Sequence, residues 1–160
     1  GNDGAYTAKV FGQLKAEGEY QIKETVRQNW QGKMAAAYSD QKEADAAIAE
    51  AWERDHYLID PHTSVGWAVA KKVPRSAEGR QLLLVSTASA YKFPASVLTA
   101  LGKDISAVDE MELPGMLKSL TGMPIPANLA DLPKMEIRHN RQTEIAAMPQ
   151  TVKDILQGKK

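Results

Sequence analysis

The sequence contains no cysteine in its 160 residues. That excludes a disulfide framework, a thiolate nucleophile and any metal or iron–sulfur centre built on thiolates. Net charge is absent too, because Lys plus Arg and Asp plus Glu both number 20. Without surplus charge the chain has no bulk electrostatic grip on nucleic acid or anionic lipid, so neither is expected as a partner. Long apolar runs are missing. Stretches such as Val65 to Ala70 and Leu82 to Val85 fall far short of the roughly 18 residues that cross a bilayer. No basic-then-apolar leader opens the chain, and the expectation is a cytoplasmic protein with no membrane association. A glycine-rich phosphate cradle of P-loop or Rossmann type is also lacking. Histidine is scarce: His56, His62 and His139 are the only imidazoles, and none pairs with another at the spacing that sets two ligands on one helical face. No metal site is expected.

What remains is the composition of an ordinary globular domain, 43% hydrophobic and 25% charged, at a length that one core accommodates. Residues 1–160 are accordingly read as a single domain. Thr7, Val10, Phe11 and Leu14 keep helical spacing before Gly18, which predicts a first helix. Ile22, Val26 and Trp30 predict a second, from Lys23 to Gln31, with Gly32 as its stop. The alanine-rich piece 33–38 is a possible strand. Ser39 or Asp40 caps the clearest helix, with Glu43 completing a capping box after Asp40. Ala44, Ala47, Ile48, Ala51 and Trp52 form its inward stripe, and its end falls near His56. A helix from His62 or Thr63 to about Lys72 follows, with Val65, Ala68, Val69 and Val73 inward and Pro74 as its stop. Gly66 within it implies close approach of another backbone.

After a polar loop from Arg75 to Arg80, Gln81 to Ser86 is a continuous apolar run of strand length, the kind buried on both faces of a parallel sheet. Pro94 opens a further helix with Val97, Leu98 and Leu101 inward and Gly102 at its end. The pattern predicts an α/β fold, rich in helix, with few parallel strands at 81–86 and, less firmly marked, 33–38. Beyond residue 102, prolines at 114, 124, 126, 133 and 149 break the chain into a punctuated tail, 103–160, with a terminal helical stripe at Val152, Ile155 and Leu156.

Ligands of open α/β sheets collect beyond the carboxyl ends of strands, which here means Ser86, Thr87, Ala88 and Ser89. Ser86 and Thr87 lack the glycines of a nucleophile elbow, and no Asp/His pair is spaced to activate either hydroxyl. Asp60-Pro61-His62-Thr63 is a helix start in which Asp60 or Thr63 caps exposed N–H groups. It is equally a helix N-terminus with a neighbouring imidazole facing an anionic ligand. Lys92 suits imine formation or phosphate binding, or is simply solvated.

Two blocks carry a resemblance. Tyr57-Leu58-Ile59-Asp60-Pro61-His62-Thr63-Ser64-Val65-Gly66, followed by Val85-Ser86-Thr87-Ala88-Ser89-Ala90-Tyr91-Lys92-Phe93-Pro94, is similar to the C-terminal part of pyridoxal-phosphate (PLP)-dependent threonine synthase, of fold-type-II PLP enzymes. Ala36, Tyr38, Ser39 and Asp40 before a charged helix add to it. The likeness covers residues 1–102 best and the tail more weakly. Ser64 replaces the family's usual alanine, and Ser89 and Ala90 stand where many members carry histidine and proline.

The resemblance implies an enzyme that makes threonine from O-phosphohomoserine and water in threonine biosynthesis, releasing phosphate. Its members hold PLP as an imine on a lysine in an N-terminal segment, with the cofactor phosphate in a glycine-rich loop, and both are expected upstream of this chain. No catalytic residue of that covalent kind is therefore expected here, and the chain alone is expected to be inactive and not to bind PLP stably. Its expected partner is the N-terminal remainder of the same protein. By the same resemblance Thr87 falls where the family's hydroxyl meets the pyridine nitrogen, with Ser86 beside it, and Asp60, His62, Thr63 and Lys92 become candidates for the site wall. An alternative stays open, a stand-alone binding or interaction module of the same architecture without catalysis.

Overall fold

The computed structural model describes residues 3–31, 33–73 and 81–159. The chain parts into two compact units, Gly1–Leu113 and Pro114–Lys160. In the first, α1 (Gly4–Glu17) starts on the Asp3 side chain, which accepts from Tyr6 N–H, and stops at Gly18 with φ 76°. That left-handed conformation is the reason glycine stands there. The second helix, α2 (Glu24–Trp30), lies within the predicted span; its predicted stop, Gly32, lies outside the described residues.

The core of this unit is α3 (Gln41–Asp55), packed on α4 (Pro61–Ala70) and on α5 (Pro94–Ala100). The capping box at the start of α3 is present: Asp40 Oδ1 accepts from Glu43 N–H at 2.8 Å, and Glu43 Oε2 accepts from Asp40 N–H at 3.0 Å. Ala44, Ala47, Ile48 and Ala51 are buried on one stripe. Three alanines in four positions leave little side chain between the backbones, so the facing helices approach closely, and Ile48, Val97 and Leu98 fill the remaining space, each fully buried. Burial of a side chain of this size stabilises by about 1.5–3 kcal/mol. His56 ends α3 in a left-handed conformation, φ 51°. Ile59 and Asp60 then run inward, and Pro61 occupies the first turn of α4, where its missing N–H costs nothing.

The inward face of α4 differs from the apolar stripe predicted for it. Thr63, Ser64 and Ala68 are buried, whereas Val65 is 39% exposed. Polar residues occupy the core there because each hydroxyl finds a partner within a turn or across the fold, as with Ser64 Oγ donating to Pro61 C=O at 2.7 Å. That bond also accommodates serine where the family that the sequence resembles usually carries alanine. Pro74 and the loop 75–80 lie outside the described residues. The neighbour of Gly66 is a side chain, not a backbone: a Cβ there would meet Leu84 Cδ1 at 2.9 Å. Gly66→Ala is expected to leave stability within about 1 kcal/mol of wild type, because helix propensity gains that much and a terminal leucine methyl can rotate away. Urea denaturation of the variant checks this; a loss of several kcal/mol would mean that Leu84 is locked.

The predicted α/β architecture is not found. Among the described residues the regular structure is helical, without a strand. Residues 81–87 are irregular, with Leu82 60%, Leu83 86% and Val85 70% exposed. The period of two survives in part: Leu84 contacts the α4 face at Gly66 and Ser86 bonds Thr63, while Leu83 and Val85 stand in solvent. What is missing among the described residues is a neighbouring backbone to form a ladder, and apolar patterning cannot supply one. The segment 33–38 is likewise irregular, with Met34 70% and Tyr38 81% exposed. Alanine there satisfies helix or coil at least as well as strand.

At the boundary of the two units begins α6 (Leu113–Thr121), and the second contains α7 (Ala127–Ala130) and α8 (Met148–Leu156). Val152, Ile155 and Leu156 of the predicted terminal stripe are 54%, 57% and 81% exposed. No helix among the described residues is long and apolar enough to cross a membrane.

Candidate functional site

The two sequence blocks meet at the N-terminal turn of α4. Asp60, Pro61, His62 and Thr63 come from the start of that helix, and Ser86 and Thr87 from the end of the apolar run. Thr63 Oγ1 lies 3.0 Å from Ser86 Oγ, a contact between residues 23 positions apart. The His62 and Phe93 rings stand 4.9 Å apart, tilted by 59°. These two contacts tie Ser86 and Phe93, near the two ends of the second block, to one helical turn.

Asp60 is the hub. Its side chain is fully buried and caps α4: Oδ1 accepts from His62 N–H at 2.9 Å and faces His62 Nδ1 at 3.1 Å, while Oδ2 accepts from the Thr63 hydroxyl. Burial by itself raises the carboxyl above its ordinary value, but hydrogen bonds from the Thr63 hydroxyl, the His62 backbone and ring, and the Thr63 backbone outweigh it and hold Asp60 below that value. Asp60 is therefore an anion, able only to accept. Thr63 has a single hydroxyl proton, which goes to Asp60, so in the contact with Ser86 it is the serine hydroxyl that donates. The chain of hydrogen bonds Ser86 to Thr63 to Asp60 fixes both side-chain rotamers.

Ser86 thus spends its proton inside the protein. Thr87, the next residue, is exposed, and no partner for its hydroxyl occurs among the described residues. His62 has an exposed side chain, 69% accessible, despite its anchored Nδ1. Lys92 is exposed in a single 3-10 turn, Ala90–Lys92, with Nζ 5.9 Å from the centroid of the Phe93 ring that His62 also packs on. Ser89, one of the departures from the family pattern, caps that turn by accepting from Tyr91 N–H at 3.3 Å, and Ala90 is buried. Both are committed to local structure.

Every candidate residue of the two blocks therefore lies either at the start of α4 or on the segment 86–92 that is linked to it. Spacing did not mark Phe93, which supports His62 from across the site; only its place after Lys92 in the second block could have drawn notice. The open cleft of about 860 Å³ between Arg54, Trp67, Lys71 and Leu82 is lined by none of these residues. For PLP, the residues present suit one end of the ring: an unpartnered exposed hydroxyl can meet a pyridine nitrogen. The phosphate and aldehyde ends need groups that the two blocks do not contain.

The family profile described as "Threonine synthase, C-terminal" matches residues 63–156. Threonine synthase-like 1 of Pongo abelii is 27% identical over 146 residues, 91% of this chain and 19% of that protein. The Homo sapiens protein of the same name is 26% identical over 151 residues, 94% of this chain and 20% of its own length. Among solved structures, PLP-bound threonine synthase from Brucella melitensis is 27% identical with a TM-score of 0.58, covering 84% of this chain and 25% of that one. The chain spans about a fifth of the length of the curated relatives it matches.

Proposed function

The chain belongs to the threonine synthase C-terminal family, and from that premise we propose that it is the C-terminal portion of a PLP-dependent lyase. The enzyme converts O-phospho-L-homoserine and water to L-threonine and phosphate, in the biosynthesis of threonine in the cytoplasm. The observation that carries this reading is the Thr63–Ser86 bond, which joins the two family-like blocks beside Thr87, whose hydroxyl has no partner among the described residues. PLP, when bound, supplies an electron sink for the carbon chemistry.

This chain's residues orient. Thr87 presents its hydroxyl to the pyridine nitrogen and fixes the ring, while Ser86 holds the backbone of Thr87 against α4. Asp60 and Thr63 set the rotamer of Ser86, His62 and Lys92 border the substrate side, and the N-terminal remainder of the polypeptide provides the lysine and the phosphate loop. The two blocks, 57–66 and 85–94, serve as part of one wall of the site.

The isolated chain is expected to form no stoichiometric covalent adduct with PLP and to make no threonine. Incubation with PLP, borohydride reduction and peptide mapping check this. Scattered labelling of surface lysines is the expected result, whereas one lysine modified at unit stoichiometry would overturn the division of labour. For the reaction itself, the longer polypeptide carrying this chain is expected to form threonine from O-phosphohomoserine, read by amino-acid analysis; absence of product from folded, PLP-loaded protein would contradict the proposed function.

A further inference from the structure

The Asp60–His62 pair has a geometry that capping alone does not require. Asp60 would cap α4 fully through the His62 and Thr63 backbone N–H groups, yet its Oδ1 also holds the His62 ring at Nδ1, 3.1 Å away. A carboxylate cannot donate, so Nδ1 carries the proton of the neutral ring and Nε2 is left with its lone pair. The ring is fixed on one side by a fully buried anion and on its face by Phe93 at 4.9 Å, while the side chain remains 69% exposed. This is a base presented from a rigid mount: Nε2 accepts a proton, and the imidazolium that results is stabilised by the carboxylate behind it.

We propose that His62, oriented by Asp60, is the proton-transfer residue for the water of the reaction. This rests on the function proposed above. Threonine carries its hydroxyl on the carbon next to the one that bore the phosphate, so elimination precedes hydration: a C–H bond of that neighbouring carbon breaks and its pair forms a carbon–carbon double bond as the phosphate leaves with the electron pair of its C–O bond, the C–H proton passing to the phosphate. As the water oxygen then bonds to the neighbouring carbon with one of its lone pairs, one O–H bond breaks, the oxygen keeps that pair, and the proton passes to His62 Nε2; the electron pair of the double bond takes a proton from the imidazolium at the terminal carbon, which restores the neutral ring. Asp60 is the positioning residue, and Lys92, whose Nζ stands 5.9 Å from the centroid of the Phe93 ring, supplies a cation for the departing phosphate.

Two measurements test this. In the 160-residue chain, nitrogen-15 NMR of labelled histidine is expected to show neutral His62 as the Nδ1–H tautomer, and Asp60→Asn to remove that preference; an Nε2–H tautomer in wild type would overturn the proposal. In the longer PLP-loaded polypeptide, His62→Gln is expected to lower kcat by about 10²–10⁴-fold, the range of general acid–base catalysis, with KM within about threefold. His62→Ala is expected to recover part of its kcat on addition of imidazole. The exposure of His62 makes both variants foldable, and circular dichroism verifies it. Wild-type activity with unaffected variants would sink the proton-transfer role alone. An inactive wild type would overturn the proposed function and this role with it, whatever the tautomer.

Discussion

Asp60→Ala is expected to destabilise the chain by about 3–5 kcal/mol, as breaking a buried charged network does. The side chain is fully buried and receives the His62 N–H, the His62 ring and the Thr63 hydroxyl. Alanine removes the cap of α4, by itself about 1 kcal/mol. It also strands the Thr63 hydroxyl inside the core, where an unpaired polar group costs about 1–3 kcal/mol. Such a loss is a large share of the roughly 5–15 kcal/mol that holds a domain together. Urea denaturation followed by circular dichroism measures it, and a loss below about 1 kcal/mol would show that water replaces the carboxylate without penalty. The pH dependence carries a sign. The folded carboxyl lies below its unfolded value, so its stabilisation is fully present above the unfolded value of about 3.9 and fades as pH falls through the lower folded value. The difference between wild type and Asp60→Asn should shrink in that acid window.

Thr87→Val, in the longer PLP-loaded polypeptide, is expected to lower cofactor affinity or turnover by roughly 5- to 100-fold, equivalent to about 1–3 kcal/mol. Valine nearly preserves shape, so the loss isolates the hydroxyl. A neutral hydroxyl positions the pyridine ring without stabilising a protonated nitrogen as a carboxylate would. In the 160-residue chain the same substitution should change stability by less than about 0.5 kcal/mol, because the residue is exposed and its hydroxyl has no partner among the described residues. Ser86→Ala is the contrast. It removes the donor to Thr63, so it should weaken the isolated fold where Thr87→Val does not. Equilibrium unfolding and cofactor titration of the two variants check the split. Wild-type cofactor affinity and turnover in Thr87→Val would return Thr87 to the role of a loop residue.

What could be read from the sequence was local. The capping box of Asp40 and Glu43, the left-handed stop at Gly18 and the proline openings of α4 and α5 each depend on residues within one turn, and all are present. Failures came where a property depends on distant chain. Residues 81–86 have the composition of a buried strand, but a strand exists only against a neighbour, and none pairs with it among the described residues. Thr63 and Ser64 were legible as a helix start but not as core, because their burial relies on partners that hydropathy does not register: the carboxylate of Asp60, the carbonyl of Pro61 and the hydroxyl of Ser86. The candidate site was half legible in the same sense. Each block announced its residues through resemblance, while the hydrogen bond that unites them spans 23 positions and follows no periodicity.

The function proposed above has this chain complete an enzyme that converts O-phosphohomoserine and water to threonine and inorganic phosphate. Phosphorus-31 NMR of the longer polypeptide with PLP and O-phosphohomoserine tests it most directly. The account predicts that the phosphomonoester resonance gives way to inorganic phosphate, with one threonine formed for each phosphate released. Persistence of the monoester resonance in the presence of folded, PLP-loaded protein would contradict it.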